Sequence, residues 1–272
     1  MQARLGFIGG GNMARALLGG LSARGPLTHV PIVVEPSPQA RAELESRHAV
    51  LTLERPDASL SSCTALIVAV KPQQMREALV AMKPFLGDCL LISIAAGIRI
   101  ESIARWLGGL TPTVRCMPNT PALIGAGITG LFANALVNSE QRALANTLLE
   151  AVGETVWVAE EALLDAVTAV SGSGPAYVFY FIEALERAGL KLGLGPEISA
   201  RLAIATFDGA TRLARQSDEP LQILRERVTS KGGTTHRALT ELEGARVSAS
   251  IVDAVQAAAL RARELGDEFG RD

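Results

Sequence analysis

Leu5-Gly6-Phe7-Ile8-Gly9-Gly10-Gly11-Asn12-Met13-Ala14, continuing as Arg15-Ala16-Leu17-Leu18, reads as a short buried strand, a glycine turn and the opening of an apolar helix. Gly9, Gly11 and Ala14 fill the three positions of the G-x-G-x-x-A pattern that binds a dinucleotide at such a junction. Gly9 allows the tight turn, and Gly11 lets the backbone approach a pyrophosphate with no Cβ in the way. Ala14 keeps the helix close to the strand, while free N–H groups at the helix start face the anion.

Outward from this stretch, apolar runs and helical segments alternate. Pro31–Glu35, Ala49–Leu53, Thr64–Val70, Cys89–Ile94, Thr113–Met117, Gly127–Leu131 and Glu154–Val158 read as further strands. Helices are expected over about 39–47, 73–82, 101–107 and 139–152. The continuous apolar character of Thr64–Val70 and Cys89–Ile94 suits strands buried on both faces. The pattern predicts a Rossmann-type, doubly wound parallel α/β sheet over residues 1–160.

From Glu161 onward no strand is expected. Leu163–Val170 and Ala176–Gly189 read as helices interrupted by Ser171-Gly172-Ser173-Gly174-Pro175, and more helices follow at about 197–216, 221–227, 237–242 and 247–269. Ala176–Leu185 is apolar on nearly every face and needs cover all round, from a core or a partner subunit. Residues 161–272 therefore form an all-helical second domain.

The chain has 272 residues, 48% of them hydrophobic, with a formal net charge of -2. That balance gives no electrostatic case for nucleic acid or an anionic membrane. Cys63, Cys89 and Cys116 are widely spaced and lack a C-x-x-C pair, the usage of reduced, buried thiols. The N-terminus passes straight into a strand, so no signal peptide is expected and the location expected is cytoplasmic. No H-E-x-x-H, paired-cysteine cluster or nucleophile elbow supports metal hydrolysis or serine-type acyl transfer.

Ligands of an open α/β sheet bind beyond the carboxyl ends of the strands. Glu35–Pro38, Ala69–Pro72, Ala95–Gly97 and Pro118–Pro121 all end strands with turn chemistry and, with the Gly9 loop, make a rim for a nicotinamide cofactor. Lys71 reads either as a solvated strand-end lysine or, from its position, as a neighbour of that cofactor. Glu35 stands where an acid binds the adenosine ribose hydroxyls of NAD and repels a 2′-phosphate, whereas Ser37 and Arg41 offer a phosphate partners; both NADH and NADPH stay open. Thr229-Ser230-Lys231-Gly232-Gly233-Thr234-Thr235, ahead of a helix beginning near His236, suits a carboxylate, and a simple capped helix start fits the same spacing.

Phe7–Met13, Ala69-Val70-Lys71-Pro72, Ile94-Ala95-Ala96-Gly97, Met117-Pro118-Asn119-Thr120-Pro121, Ser171–Tyr177 and Gly232-Gly233-Thr234-Thr235 occur in this order. The whole chain resembles the pyrroline-5-carboxylate reductase family, which reduces the cyclic imine 1-pyrroline-5-carboxylate to L-proline in the last step of proline biosynthesis. The resemblance implies that the helical domain interlocks with a second subunit in a homodimer, with rings of dimers as a further expectation. It implies a cofactor site at Ile8, Gly9, Gly10, Gly11, Asn12, Met13, Ala69, Val70, Lys71, Pro72, Ala95, Ala96 and Gly97. It implies a substrate site at Glu161, Gly233, Thr234 and Thr235, with Ser230 on the same loop and Thr235 hydrogen-bonding the ring nitrogen. Lys231 stands where the family commonly has proline. A reductase of the β-hydroxyacid dehydrogenase type shares the two-domain plan but requires a catalytic lysine in the helical domain. Lys191 and Lys231 are the lysines there, and neither sits in a matching motif.

Overall fold

The computed structural model describes residues 3–271. Its first unit is built on eight strands, β1 (Leu5–Ile8), β2 (Ile32–Val34), β3 (Leu51–Leu53), β4 (Ala65–Val68), β5 (Leu90–Ser93), β6 (Thr113–Met117), β7 (Gly127–Ala133) and β8 (Gly153–Trp157). Helices α1 (Asn12–Ala23), α2 (Pro38–Arg47), α3 (Met75–Met82), α4 (Ile100–Leu107) and α5 (Ser139–Leu149) alternate with them. The strands form one sheet in the order β3-β2-β1-β4-β5-β6-β7-β8. The chain leaves β1 toward β2 and β3, then crosses back to add β4 on the other side. The topological switch point therefore lies between β1 and β4.

Strand periodicity sorts the side chains into two cores. Leu5, Phe7, Ala65, Ile67, Leu90 and Ile92 pack on one face with α1 and α5. The alternating Ile8, Leu66, Val68 and Leu91 pack on the other with α3 and α4. Burial on both faces explains why these strands are apolar at nearly every position, each large side chain contributing about 1.5–3 kcal/mol. Gly6 interrupts the run because a Cβ there would lie 2.4 Å from Leu66 Cδ2.

The sheet is not wholly parallel, as the sequence pattern led us to expect: β7 runs antiparallel to β6. The connection from Pro118 to Ala126 holds a single 3-10 turn, Thr120–Ile124, and is too short for a crossover helix. Asn119 fixes this corner, its Oδ1 accepting from Ile128 N–H at 3.0 Å and its Nδ2 donating to Ser171 O at 3.1 Å. After α5 the chain returns to parallel pairing between β7 and β8.

Beyond the sheet come α6 (Leu163–Val167), α7 (Gly174–Lys191), α8 (Pro196–Gln216), α9 (Leu221–Arg227), α10 (Thr234–Gly244) and α11 (Val247–Phe269). The Ser171–Pro175 segment does not break the helical path as expected. Thr168–Gly172 continues it as a π turn, closed by Ser173 N–H donating to Thr168 O at 2.8 Å. A Cβ on Gly172 would stand 2.5 Å from Met117 Cε, so the methionine end occupies the space the glycine leaves. Helix α10 begins at Thr234, earlier than the start near His236 that the spacing suggested.

By compactness the chain divides after Ser173, and the stretch from Ala258 onward belongs with the sheet unit. The reason is packing: α6 lies on β7, where a Cβ at Gly130 would meet Val167 Cγ1 at 2.5 Å. The second unit, Gly174–Ala257, is helical. Within it Gly189 on α7 faces Ser199 on α8, and most of its apolar side chains are uncovered, Phe179 at 61% and Tyr180 at 64% exposure. No helix among the described residues is long and apolar enough to cross a membrane.

All three cysteines are free and buried. Burial pushes the Cys89 thiol up to about 12 and raises Cys63 and Cys116 as well. A raised thiol pKa starves the reactive thiolate. Ellman's reagent at mildly alkaline pH should find no reactive thiol in the native protein and all three cysteines after denaturation; a fast-reacting native thiol would contradict this burial.

Candidate functional site

The glycine turn leaves β1 at the switch point. Gly9 N–H donates to Val34 O and Ala69 N–H donates to Ile8 O, both at 2.8 Å, so the turn is gripped by β2 on one side and β4 on the other. Gly9 takes φ +98°, and a Cβ there would lie 2.9 Å from Ala69 O. Both its conformation and its neighbour demand glycine. Gly11 is the N-cap of α1 with no side-chain cap, and a Cβ on it would meet nothing nearer than Ala69 O at 3.9 Å. An uncapped helix start under open space is what a pyrophosphate needs. Arg15 braces the turn, its Nε donating to Gly10 O at 3.0 Å while its NH1 pairs with Glu43 at 2.7 Å. The Arg15 guanidinium holds the Glu43 carboxyl below its ordinary value.

A cleft of about 890 Å³ opens over this turn. Ile8, Gly9, Gly10 and Gly11 line its floor, Glu35 and Ser37 one wall, and Ala69, Val70 and Lys71 the other. Both oxygens of Glu35 are engaged, Oε2 accepting from Gly10 N–H and Oε1 from Ser37 N–H, each at 3.0 Å. This carboxylate ties the glycine turn to the start of α2 and stays at the cleft wall. The two partners suggested for a phosphate are engaged at the start of α2. Arg41 NH1 donates to the carbonyls of Glu35 and Pro36 at 2.8 Å, and Ser37 Oγ caps α2 by accepting from Ala40 N–H at 3.3 Å. Glu54 and Arg55 complete the rim, 3.7 Å apart and largely exposed.

The remaining expected cofactor residues lie around the cleft rather than in its lining. Asn12 and Met13 open α1, with Met13 partly packed on the core. Pro72 starts a 3-10 turn after Lys71. Ala95 is buried, and Ala96 and Gly97 form the turn that leads from β5 to α4. The Pro118–Pro121 corner does not line the cleft.

Glu161 also belongs to the first unit. Its Oε1 accepts from Ile100 N–H at 2.8 Å, at the first turn of α4, and from Arg115 NH1 at 3.0 Å. Arg115, 4% exposed in the middle of β6, has Asp165 at 4.0 Å as a second acid. Sequence reading passed over Arg115; a lone cation inside Thr113-Val114-Arg115-Cys116-Met117 was the available signal.

Ser230, Gly233, Thr234 and Thr235 fall in the second unit and form one feature. Gly233 N–H donates to Ser230 O at 3.0 Å, closing a turn in which Gly232 takes φ +77°. Gly233 is the N-cap of α10 with no side-chain cap, so Thr234 and Thr235 sit in an uncapped first helical turn. Among the described residues no group of His, Cys, Asp or Glu is placed to hold a metal ion.

Residues 161–265 match the family described as pyrroline-5-carboxylate reductase dimerisation, and residues 4–97 match NADP oxidoreductase coenzyme F420-dependent. A pyrroline-5-carboxylate reductase of Pseudomonas aeruginosa is 42% identical over 269 residues, covering 98% of each chain. The chain belongs to the pyrroline-5-carboxylate reductase family. One from Haemophilus influenzae is 40% identical over 99% of this chain and 100% of its own. The solved pyrroline-5-carboxylate reductase of Coxiella burnetii superposes with a TM-score of 0.92 at 37% identity, covering 97% of this chain and 99% of its own. That of Plasmodium falciparum, solved with NADP bound, gives 0.85 at 32% identity, covering 97% and 98%. The chain is thus an NAD(P)-dependent oxidoreductase with a Rossmann sheet domain and a dimerisation region.

The engaged Glu35 and the committed Arg41 predict a handicap for NADPH, whose 2′-phosphate would meet a carboxylate. Glu35→Ser should lower the KM for NADPH about five- to tenfold relative to that for NADH. Steady-state kinetics with the two cofactors checks this; an equal change in both would show that Glu35 does not face the ribose.

Proposed function

We propose that this chain reduces 1-pyrroline-5-carboxylate to L-proline with NADH or NADPH, as the last step of proline biosynthesis. The observation that carries the reading is the uncapped start of α10, where a glycine turn presents Thr234 and Thr235. It is a carboxylate-sized anion site in a chain that also holds a dinucleotide turn. When bound, the reduced nicotinamide would supply the hydride for the imine carbon, C2 of the pyrroline ring, which becomes C5 of proline. The chain's own share is binding and orientation. Gly9, Gly10, Gly11 and the first turn of α1 take the pyrophosphate, Glu35 the adenosine ribose, and Ala69–Pro72 with Ala95–Gly97 border the nicotinamide side. Backbone N–H groups from Gly233 to Thr235 hold the substrate carboxylate, with Ser230 steadying their turn. The Thr235 hydroxyl donates a hydrogen bond to the ring nitrogen. Glu161 serves the site by fixing Arg115 and the first turn of α4.

In this reading the functional division lies at 160/161, with substrate binding and dimerisation falling to residues 161–272 of a cytoplasmic enzyme. Oxidation of NADH and NADPH with pyrroline-5-carboxylate, beside hydroxyacid and keto-acid controls, tests it directly. Cofactor binding without turnover of the imine would favour a dinucleotide sensor.

Thr235→Ala should leave the melting temperature and cofactor affinity nearly unchanged, since the side chain is on the second residue of an already formed helix. It should cut kcat/KM by about ten- to a hundredfold, the loss of one hydrogen bond that strengthens in the transition state. Near-wild-type kinetics would remove Thr235 from the mechanism.

The uncovered apolar faces of α7 and α8 call for a second copy of the chain; rings of such dimers are a further step of the same proposal. Sedimentation at low micromolar concentration should find no species smaller than a dimer; a folded, active monomer would overturn this.

A further inference from the structure

We propose that the last turns of α11 clamp the Ala95–Gly97 turn, making Gly266 and the Arg99–Asp267 pair positioning residues for the nicotinamide cofactor. The inference rests on the reading that this turn borders the cofactor. Strands β4 and β5 pair in parallel with Val68 opposite Ser93, so the chain leaving β5 emerges beside Ala69–Lys71, which line the cleft. The turn has little freedom of its own: Ala95 is buried, Gly97 takes φ +78°, and α4 starts at Ile100.

What holds it is backbone against backbone. A Cβ on Gly266 would lie 3.0 Å from Gly97 O, and a Cβ on Gly97 would lie 3.4 Å from Gly266 N and 3.5 Å from Leu265 C. Ala262 and Gly266, one turn apart, are the buried residues of a helix otherwise largely exposed. Glycine in a helix interior weakens the helix, so at position 266 its return is this close approach. Flanking contacts repeat the arrangement. Arg99 NH1 pairs with Asp267 Oδ1 at 2.7 Å, Arg105 donates to Gly270 O, and Phe269 packs on the core beneath α4. On its other side the first turn of α4 is held by Glu161 through Ile100 N–H. The turn between β5 and α4 is therefore set from outside the sheet, by residues far along the chain.

Gly266→Ala adds one methyl at the contact and should displace Gly97. Titration by the fluorescence of bound NADH, without substrate, should show affinity weakened about five- to tenfold, with kcat reduced in parallel. The KM for pyrroline-5-carboxylate should move by less than about twofold, and the melting temperature by no more than about two degrees. Asp267→Asn, which keeps the shape and removes the ion pair, should shift NADH affinity in the same direction by about twofold. Unchanged NADH affinity in folded Gly266→Ala overturns the proposal, as does a loss of activity that merely follows the melting temperature. Should Gly266→Ala fail to fold, Asp267→Asn and Arg99→Met decide, and unaltered NADH affinity in both overturns it. The titration needs no imine, so a wild type that binds NADH but does not reduce pyrroline-5-carboxylate sinks the functional reading and leaves the clamp standing. A wild type that binds no reduced dinucleotide overturns both.

Discussion

The chain has almost no room where β1 ends. Gly9 is hydrogen-bonded across to β2 through Val34, Ala69 reaches back to Ile8, and the space a Cβ would take at Gly9 is already filled by the Ala69 backbone. The strand order reverses at this point, so the turn has to pass between two diverging halves of the sheet. A left-handed glycine is the way through. From that one steric constraint follow the direction of α1, the open space over Gly11 and the position of the cleft between the β2 and β4 sides.

Charge is then arranged around the turn rather than in it. Glu35 joins the ends of β2 and α2 to Gly10, and Arg41 is drawn onto backbone carbonyls of the same corner. Arg15 performs the equivalent task from α1. These contacts stabilise a loop that lacks side chains of its own, so the glycine turn is rigid although nothing in its composition makes it so. Glu161 and buried Arg115 play a similar part near α4. A carboxylate that holds a helix start and a buried cation together cannot be exchanged for an amide without leaving Arg115 undercompensated.

Much of this was legible in the sequence because burial on two faces leaves a plain signature. Thr64–Val70 and Cys89–Ile94 are apolar without alternation, and the structure places their successive residues in two separate cores. The reversal of β7 was not legible from its residues, since Gly127–Ala133 carries the same apolar pattern in either direction. The shortness of the Pro118–Ala126 connection was the available clue. Ser171–Pro175 read as a break because serine, glycine and proline usually end helices. Here the wide turn at Thr168–Gly172 absorbs them while Gly172 makes way for Met117. The return of α11 to the sheet unit was invisible, because Gly97 and Gly266 are far apart in the chain and neither carries a side chain to announce the contact.

The turn ahead of α10 carries a consequence of a different kind. Gly232 at positive φ, with Gly233 bonded back to Ser230, defines a type II turn whose second residue is Lys231. Proline suits that position because its ring already holds the required φ, and the family commonly has proline there. Lysine meets the same geometry without being held to it. The loop therefore has more backbone freedom than one with proline there, and ordering it costs conformational entropy that a ring would have removed in advance, about 0.4–1 kcal/mol for such a site. In this chain the order of the loop ahead of α10 has to come from contacts other than a ring, the Gly233–Ser230 hydrogen bond first among them.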